Sequence, residues 1–241
     1  MKCLIIAAGQ GSRLSQKGDS KPLIPLLGTP IIEHVIGSVT SAGINDFCVV
    51  TGFNGEPVRG FLDKLANRCP VTITHVNNDD WEQGNGLSVL KARDILTEPF
   101  ILVMCDHLFD PAILRDLIKV PPITDTVTLA VDFDLKSPQI DMEDVTKVLV
   151  SKEEKVEAIG KELTHFNAFD TGIFYCTSAL FGAIDYSQSQ GDTSLSGGIR
   201  RLASQGKVNI FDIGGHFWID VDDPQAYGKA EQALQSQAEA I

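Results

Sequence analysis

The sequence predicts an α/β fold: a mostly parallel sheet with helices on both faces and a small antiparallel extension. Three observations predict it. Residues 4–8 form a continuous apolar run, Leu-Ile-Ile-Ala-Ala, as expected of a strand buried on both faces. Strand-like and helix-like segments then alternate as far as residue 131. From about Asp132 this alternation gives way to a charged stretch and short paired strands.

Each element has its own signal. The first strand runs into Gly9-Gln10-Gly11-Ser12-Arg13-Leu14. A helix is expected over 30–42, with Thr29 as cap, Pro30 in the first turn and Gly43 as terminator. Strand 46–50, helix 57–67 and strand 71–76 follow. A polar loop at 77–86 leads into helix 87–95. Strand 100–105 precedes helix 111–119, which Asp110 caps, and strand 126–131 closes the regular part. Segments 147–151 and 156–160 read as an antiparallel pair around Glu153-Glu154, and 173–176 as another strand. Helices 177–183 and 195–204 and strands 208–212 and 215–221 come next. The last helix starts at Pro224 behind Asp222 or Asp223 and runs to about residue 240. No Pro/Gly/Ser-rich linker and no repeat divides the chain, so 1–241 reads as a single domain.

Composition narrows the partners. With 20 basic and 32 acidic residues the net charge is −12, which argues against a nucleic-acid groove or an anionic membrane as main partner. The five cysteines show no C-x-x-C spacing, as expected in a reducing compartment. The N-terminus shows no signal peptide and no apolar run reaches bilayer length, so a cytoplasmic location is expected.

The loop after the first strand carries chemistry. Its glycines let backbone N–H groups approach an anion, and Arg13 and Lys21 add two cations. Strand, glycine loop and converging cations describe a polyphosphate cradle. It is not a P-loop, because no Gly-Lys-Ser/Thr closes it. Nor is it a dinucleotide fingerprint: Leu14 stands where Gly or Ala is required, and Asp46 opens the next strand instead of ending it. Loop 77–86, Asn-Asn-Asp-Asp-Trp-Glu-Gln-Gly-Asn-Gly, is either a long turn or a wrap around a nucleobase, whose edge its amides and backbone can match. Asp106 ends a core strand, where a carboxylate is costly unless paired or metal-bound. It is therefore expected to hold Mg²⁺, with His107 buttressing it. Asp220 and Asp222 point to one face of an extended segment. Either they complete that metal site, or they are a solvated edge and a helix cap.

The pattern I/L-x-A-G-x-G-S/T-R-L followed by Lys21-Pro22 resembles the signature of nucleotidyltransferases that join an NTP to a phosphorylated small molecule. The order of that motif, Asp106, Lys161, Thr171-Gly172 and Trp218-Ile219-Asp220-Val221-Asp222 extends the resemblance over nearly the whole chain. Gln83-Gly84-Asn85-Gly86-Leu87-Ser88, Asp144-Val145-Thr146-Lys147-Val148 and Ile159-Gly160-Lys161-Glu162-Leu163 are most similar to the inositol-1-phosphate cytidylyltransferases. The resemblance implies a Rossmann-like nucleotide-binding core at 1–131 and an acceptor-binding, metal-completing part at 132–241. It implies that CTP and inositol 1-phosphate give CDP-inositol and pyrophosphate, toward a phosphodiester solute of heat-adapted organisms. Such enzymes are often joined to a membrane-embedded synthase, so this chain is expected to be either a stand-alone enzyme or an excised domain.

Roles carried over by the resemblance are these. Ala7, Ala8, Gly9, Gly11, Ser12 and Arg13 bind the triphosphate. Arg13 and Lys21 neutralise the α-phosphate and the leaving pyrophosphate. Gln83, Gly84, Asn85, Gly86 and Ser88 read the cytosine. Asp106, Asp220 and Asp222 hold Mg²⁺. Lys161, Lys147, Asp141, Asp144, Thr171 and Gly172 form the acceptor side. The nucleophile is a phosphate oxygen already ionised at neutral pH, so no general base is needed, and the five histidines form no constellation. Phosphocholine and sugar 1-phosphates are rival acceptors. A non-catalytic nucleotide-binding regulator is the rival of another class, although such a protein should have lost the cations or acids retained here.

Overall fold

Alternate residues of the first strand face opposite sides, and both sides are covered by helices. In the computed structural model, which describes residues 1–239, Cys3, Ile5 and Ala7 lie in one apolar cluster and Leu4 and Ile6 in another. A strand buried on both faces has no polar face, which is why 4–8 is apolar throughout.

The strands are β1 (Lys2–Ala7), the two-residue pair β2 (Pro25–Leu26) and β3 (Thr29–Pro30), β4 (Asp46–Thr51), β5 (Thr72–Asn77), β6 (Phe100–Met104), β7 (His107–Phe109), β8 (Val127–Asp132), β9 (Lys147–Val150), β10 (Val156–Gly160), β11 (Ala168–Cys176), β12 (Val208–Asp212) and β13 (Trp218–Asp220). The helices are α1 (Ile31–Ser41), α2 (Gly55–Arg68), α3 (Gly86–Lys91), α4 (Pro111–Leu117), α5 (Ala179–Ser189), α6 (Leu195–Ala203) and α7 (Pro224–Glu239). Residue 240, where the last helix was expected to end, lies outside the described residues. One cluster unites β1 with α1, α2, α4 and α7, and the other unites it with α3, α5 and α6.

The main sheet has nine strands. Its parallel part runs β6-β1-β4-β5, and β8 pairs parallel with β12. The antiparallel part is built into the same sheet. β11 pairs with β6 through Ile173–Cys176 and with β9 through Ala168 and Phe169, while β8 lies on its other side. The pair β9–β10 matches the expected hairpin, with Glu154 at φ 57° in its turn.

Three local expectations are corrected. Thr29 does not cap α1: it pairs with Leu26 in the β2–β3 turn, and Pro30 precedes the helix with no side-chain cap. β13 is shorter than 215–221, because Gly214 and Gly215 take φ 64° and 77° in a turn before it. β11 starts five residues earlier than 173–176, across Thr171-Gly172. Asp110 caps α4 by accepting from Ala112 N–H at 2.8 Å, and Asp223 accepts from Gln225 and Ala226 N–H at the start of α7. Among the described residues no helix is long and apolar enough to cross a membrane.

Candidate active site

A two-stranded ribbon gathers the acids. The chain leaves the carboxyl end of β6 at Asp106 and continues into β7, which pairs antiparallel with β13. His107 stands opposite Asp220. Val221 N–H donates to the Asp106 carbonyl at 3.0 Å, and Asp110 N–H donates to that of Phe217 at 2.9 Å, closing the ribbon at both ends. Ile219 and Leu108 are buried in the core and anchor it. Trp218 stacks on the His107 ring and donates from Nε1 to Asp132 at 2.8 Å. The ribbon therefore fixes Asp106, Asp220 and Asp222 relative to one another.

His107 Nδ1 is 2.9 Å from Asp106 Oδ1 and 3.9 Å from Asp220 Oδ1. Burial pulls the imidazole pKa down, but Asp220 and Asp106 outweigh it and hold it up at about 9. Burial raises Asp220, which His107 opposes and Asp106 and Asp222 reinforce, to about 7. Asp106 is also buried, yet Lys21 and His107 hold its carboxyl well below the usual range.

The cations arrive from the glycine loop. Gly11 has φ 62°, and a Cβ there would fall 2.5 Å from Lys21 Cβ, so the absent side chain makes room for the lysine stem. Lys21 is only 6% exposed; its Nζ lies 2.5 Å from Asp106 Oδ2 and also contacts Asp222 Oδ1. Burial lowers the ammonium pKa, but Asp106, Asp222 and Asp220 drive it the other way and win. Arg13 binds Asp144 at 2.6 Å through one guanidinium nitrogen and Asp222 through the other, and Lys161 contacts the second oxygen of Asp144. Charges thus alternate from Lys161 through Asp144, Arg13, Asp222 and Lys21 to Asp106.

The donor set suits a hard divalent cation. Asp144, Asp220 and Asp222 offer carboxylate oxygens within 4.8 Å of one another; Asp106 and Asp220 are gathered likewise around His107, which as an imidazolium is their partner and not a ligand. Asp220 Oδ1 is buried without any hydrogen-bond partner, which a cation would relieve.

Other expected residues divide into those that face the cleft and those that hold it. A cavity of about 240 Å³ is lined by Asp106, Asp141, Asp144, Lys161, Gly172, Asp220 and Asp222, together with Asn85. Thr171 is corrected: it is fully buried and its hydroxyl donates to the Ala130 carbonyl at 2.8 Å, away from the cavity. Lys147 is corrected as well, since its ammonium donates to the Lys161 carbonyl at 2.7 Å and it does not line the cavity. It supports the lysine beside it.

In the loops expected to bind nucleotide, Ala7 and Ala8 are buried at the end of β1, and Ala8 C=O accepts from Phe53 N–H at 2.9 Å. Gly9 and Ser12 are exposed. In the loop carrying Gln83, Gly84 and Gly86 permit close contact with Thr193 and Ser194: a Cβ on either would fall 2.5–2.6 Å from that backbone. Gly84 N–H donates to Thr193 Oγ1, and Asn85 Oδ1 accepts from Leu195 N–H. Ser88 is buried and accepts from Asn78 Nδ2 at 3.0 Å, so its hydroxyl fastens the loop from inside and does not reach into the cleft. The cavity also has walls that sequence reasoning missed: Gln139, Asp170, Trp218 and Lys229. Asp170 lay in a segment noticed only for its neighbours, and Lys229 sits in a helix with no motif.

Fold and site together define a nucleotidyltransferase. The chain belongs to the family of the MobA-like NTP transferase domain, whose family model matches residues 3–138. It is 32% identical over 234 residues to the "Bifunctional IPC transferase and DIPP synthase" of Rubrobacter xylanophilus, covering 95% of this chain and 51% of that protein. It is 30% identical to the protein of the same name from Thermococcus kodakarensis, covering 97% and 50%. The chain thus spans about half the length of these curated relatives. Among solved structures, the inositol-1-phosphate CTP transferase from T. maritima superposes with a TM-score of 0.85 at 27% identity, over 97% of this chain and 94% of that one.

Proposed function

We propose that the chain catalyses transfer of a cytidylyl group from CTP to inositol 1-phosphate, giving CDP-inositol and pyrophosphate. One observation carries the reading: Arg13 and Lys21, from the glycine loop and the segment after it, pair with Asp106, Asp144 and Asp222, three acids that line a cavity also lined by Lys161. The similarity to proteins named for this reaction supports the choice of substrates.

The chemical difficulty is the meeting of two anions. Arg13 and Lys21 exchange their carboxylate partners for oxygens of the α-phosphate and the leaving pyrophosphate. The ion pairs hold both cations together beside the cavity, so their positions are set before the nucleotide arrives. Lys161 holds the acceptor phosphate, and one of its oxygens attacks the α-phosphorus in line with the departing pyrophosphate. The attacking oxygen is ionised at neutral pH, so no residue has to remove a proton. Asp220, common to both acidic groups, would hold Mg²⁺ with Asp106 and Asp222 beside it. When bound, the ion supplies positive charge where the phosphates converge. The backbone of 83–86, with Asn85, faces the base, and the chain works as one unit in the cytoplasm.

The test is an incubation with CTP, Mg²⁺ and inositol 1-phosphate, with pyrophosphate release and CDP-inositol measured. Parallel reactions take glucose 1-phosphate or phosphocholine, each with CTP and with UTP. Faster turnover of CTP with inositol 1-phosphate than of any other pair is the expected result. Preference for another acceptor would overturn the substrate choice. Among the described residues the aromatic side chains lining the cavity are the buried Phe174 and Trp218, whose indole is bonded to Asp132 and stacked on His107, which is less than the cage a choline headgroup wants.

A further inference from the structure

The cavity contains a carboxylate that the chemistry above does not use. Asp170 sits in β11 where the pairing with β8 changes register between Asp170 and Phe174. Its side chain lines the cavity beside Gly172, Phe174 and His107. Its backbone is fixed, because Asp170 N–H donates to the Thr146 carbonyl at 2.9 Å. Its Oδ1 accepts from Gly172 N–H at 2.8 Å. Among the described residues nothing else donates to this carboxylate, and no lysine or arginine pairs with it.

The other acids of the cavity are committed. Asp106, Asp144 and Asp222 bind Lys21, Arg13 and Lys161, and Asp220 belongs to both clusters that could hold a metal ion. Asp141 and Asp223 accept backbone N–H groups as Asp170 does, but Asp141 is exposed in a turn and Asp223 accepts two as the cap of α7. Asp170 instead presents an oxygen from the sheet itself. Burial pushes its pKa up to about 6, with Gly172 N–H opposing, so it remains ionised above neutrality.

We propose that Asp170 is a specificity-determining residue that accepts hydrogen bonds from the hydroxyl groups of a phosphorylated polyol whose phosphate is held by Lys161. The proposal rests on the acceptor side of the reading above and deepens it. A polyol ring offers several O–H donors and little apolar surface. A desolvated carboxylate is a strong acceptor for such donors. It also discriminates, because an analogue without the hydroxyl displaces water from the half-buried carboxylate and leaves its second oxygen unpaired.

The test is steady-state kinetics of Asp170→Asn with inositol 1-phosphate and with cyclohexyl phosphate, which lacks the ring hydroxyls. The amide oxygen of Asn keeps the Gly172 bond, and a melting curve together with an unchanged KM for CTP shows that the variant is folded. The expected result is an acceptor KM raised about ten- to a hundred-fold for inositol 1-phosphate, the effect of losing a charge-assisted hydrogen bond. The already poor KM for cyclohexyl phosphate should stay unchanged. Equal KM values for inositol 1-phosphate in wild type and variant would overturn the role of Asp170. If the wild type prefers another phosphorylated polyol, the choice of inositol fails and the same comparison is made on that acceptor, with an unmoved KM again overturning Asp170. A wild type that turns over no phosphorylated polyol overturns both.

Discussion

A Cβ on Gly172 would fall 2.5 Å from Cδ2 of His107. The absent side chain is therefore the seat of an imidazole that binds Asp106 and faces Asp220. Gly172 also has φ 74°, which an L side chain tolerates poorly. Gly172→Ala should push His107 toward the carboxylates and cut turnover about ten-fold or more, alongside a strain cost of roughly 1–2 kcal/mol. Gly60→Ala is the control: it lies within α2 with nothing within 4 Å of its added Cβ. That variant should keep full activity and gain up to about 1 kcal/mol of stability. Wild-type kinetics in Gly172→Ala would show that the ring position does not matter.

Gly11 makes the same argument for the other side of the site. A methyl group there would strike the Lys21 stem, at Cβ and again at Cδ 2.8 Å away. Gly11→Ala should raise the KM for CTP and lower kcat together, since Lys21 serves both bound states. The acceptor KM should move least. Inhibition by pyrophosphate provides a second readout, and it should weaken in parallel.

Asp106→Ala separates metal binding from folding. Lys21 keeps Asp222 as partner in this variant, so the buried ammonium is not stranded. The fold should survive with a lowered melting temperature, because His107 loses its 2.9 Å partner, whereas turnover should fall about a hundred-fold or more. A Mg²⁺ titration should saturate only at much higher concentration. Normal activity at ordinary Mg²⁺ would remove Asp106 from the metal site.

These residues differ in how openly the sequence displayed them. β1, β4 and β6 were legible because a strand covered on both faces must be apolar throughout, and Asp106 stands out where such a run ends. The meeting of Arg13 and Lys21 with Asp222 was foreseeable only as a shared crevice, since contacts over about 200 residues leave no local trace. Thr171 and Ser88 misled because a hydroxyl in a motif looks the same whether it faces substrate or backbone; here Ala130 and Asn78 claim them. The full length of β11 was hidden because Thr171-Gly172 interrupts the apolar pattern, and that interruption is what seats His107.

Lys161 offers a clean division between the two substrates. It pairs with Asp144, which also binds Arg13, and its carbonyl accepts from Lys147. Lys161→Ala should raise the acceptor KM about ten- to a hundred-fold, while leaving the KM for CTP within a few-fold of wild type. Lys147→Ala should show a weaker version of the same effect, because it acts only by holding Lys161. Identical acceptor kinetics in both variants and the wild type would exclude this corner as the phosphate site.

Asp170 also makes a prediction about stability and pH. Burial raises its carboxyl to about 6 in the folded protein, against roughly 3.9 in an unfolded chain. A raised carboxyl pKa means that the folded state prefers the protonated form. The stability this contributes is complete below the unfolded pKa and is lost as pH rises through the folded one. Asp170→Asn cannot ionise and keeps an oxygen for Gly172 N–H. Its stability relative to wild type should therefore climb between about pH 4 and pH 6 and level off above, by at most about 3 kcal/mol. Denaturant melts of both proteins at pH 4, 5, 6 and 7.5 measure the difference directly. A difference that stays flat over that range would mean that Asp170 is solvated in the free protein, with an ordinary carboxyl pKa.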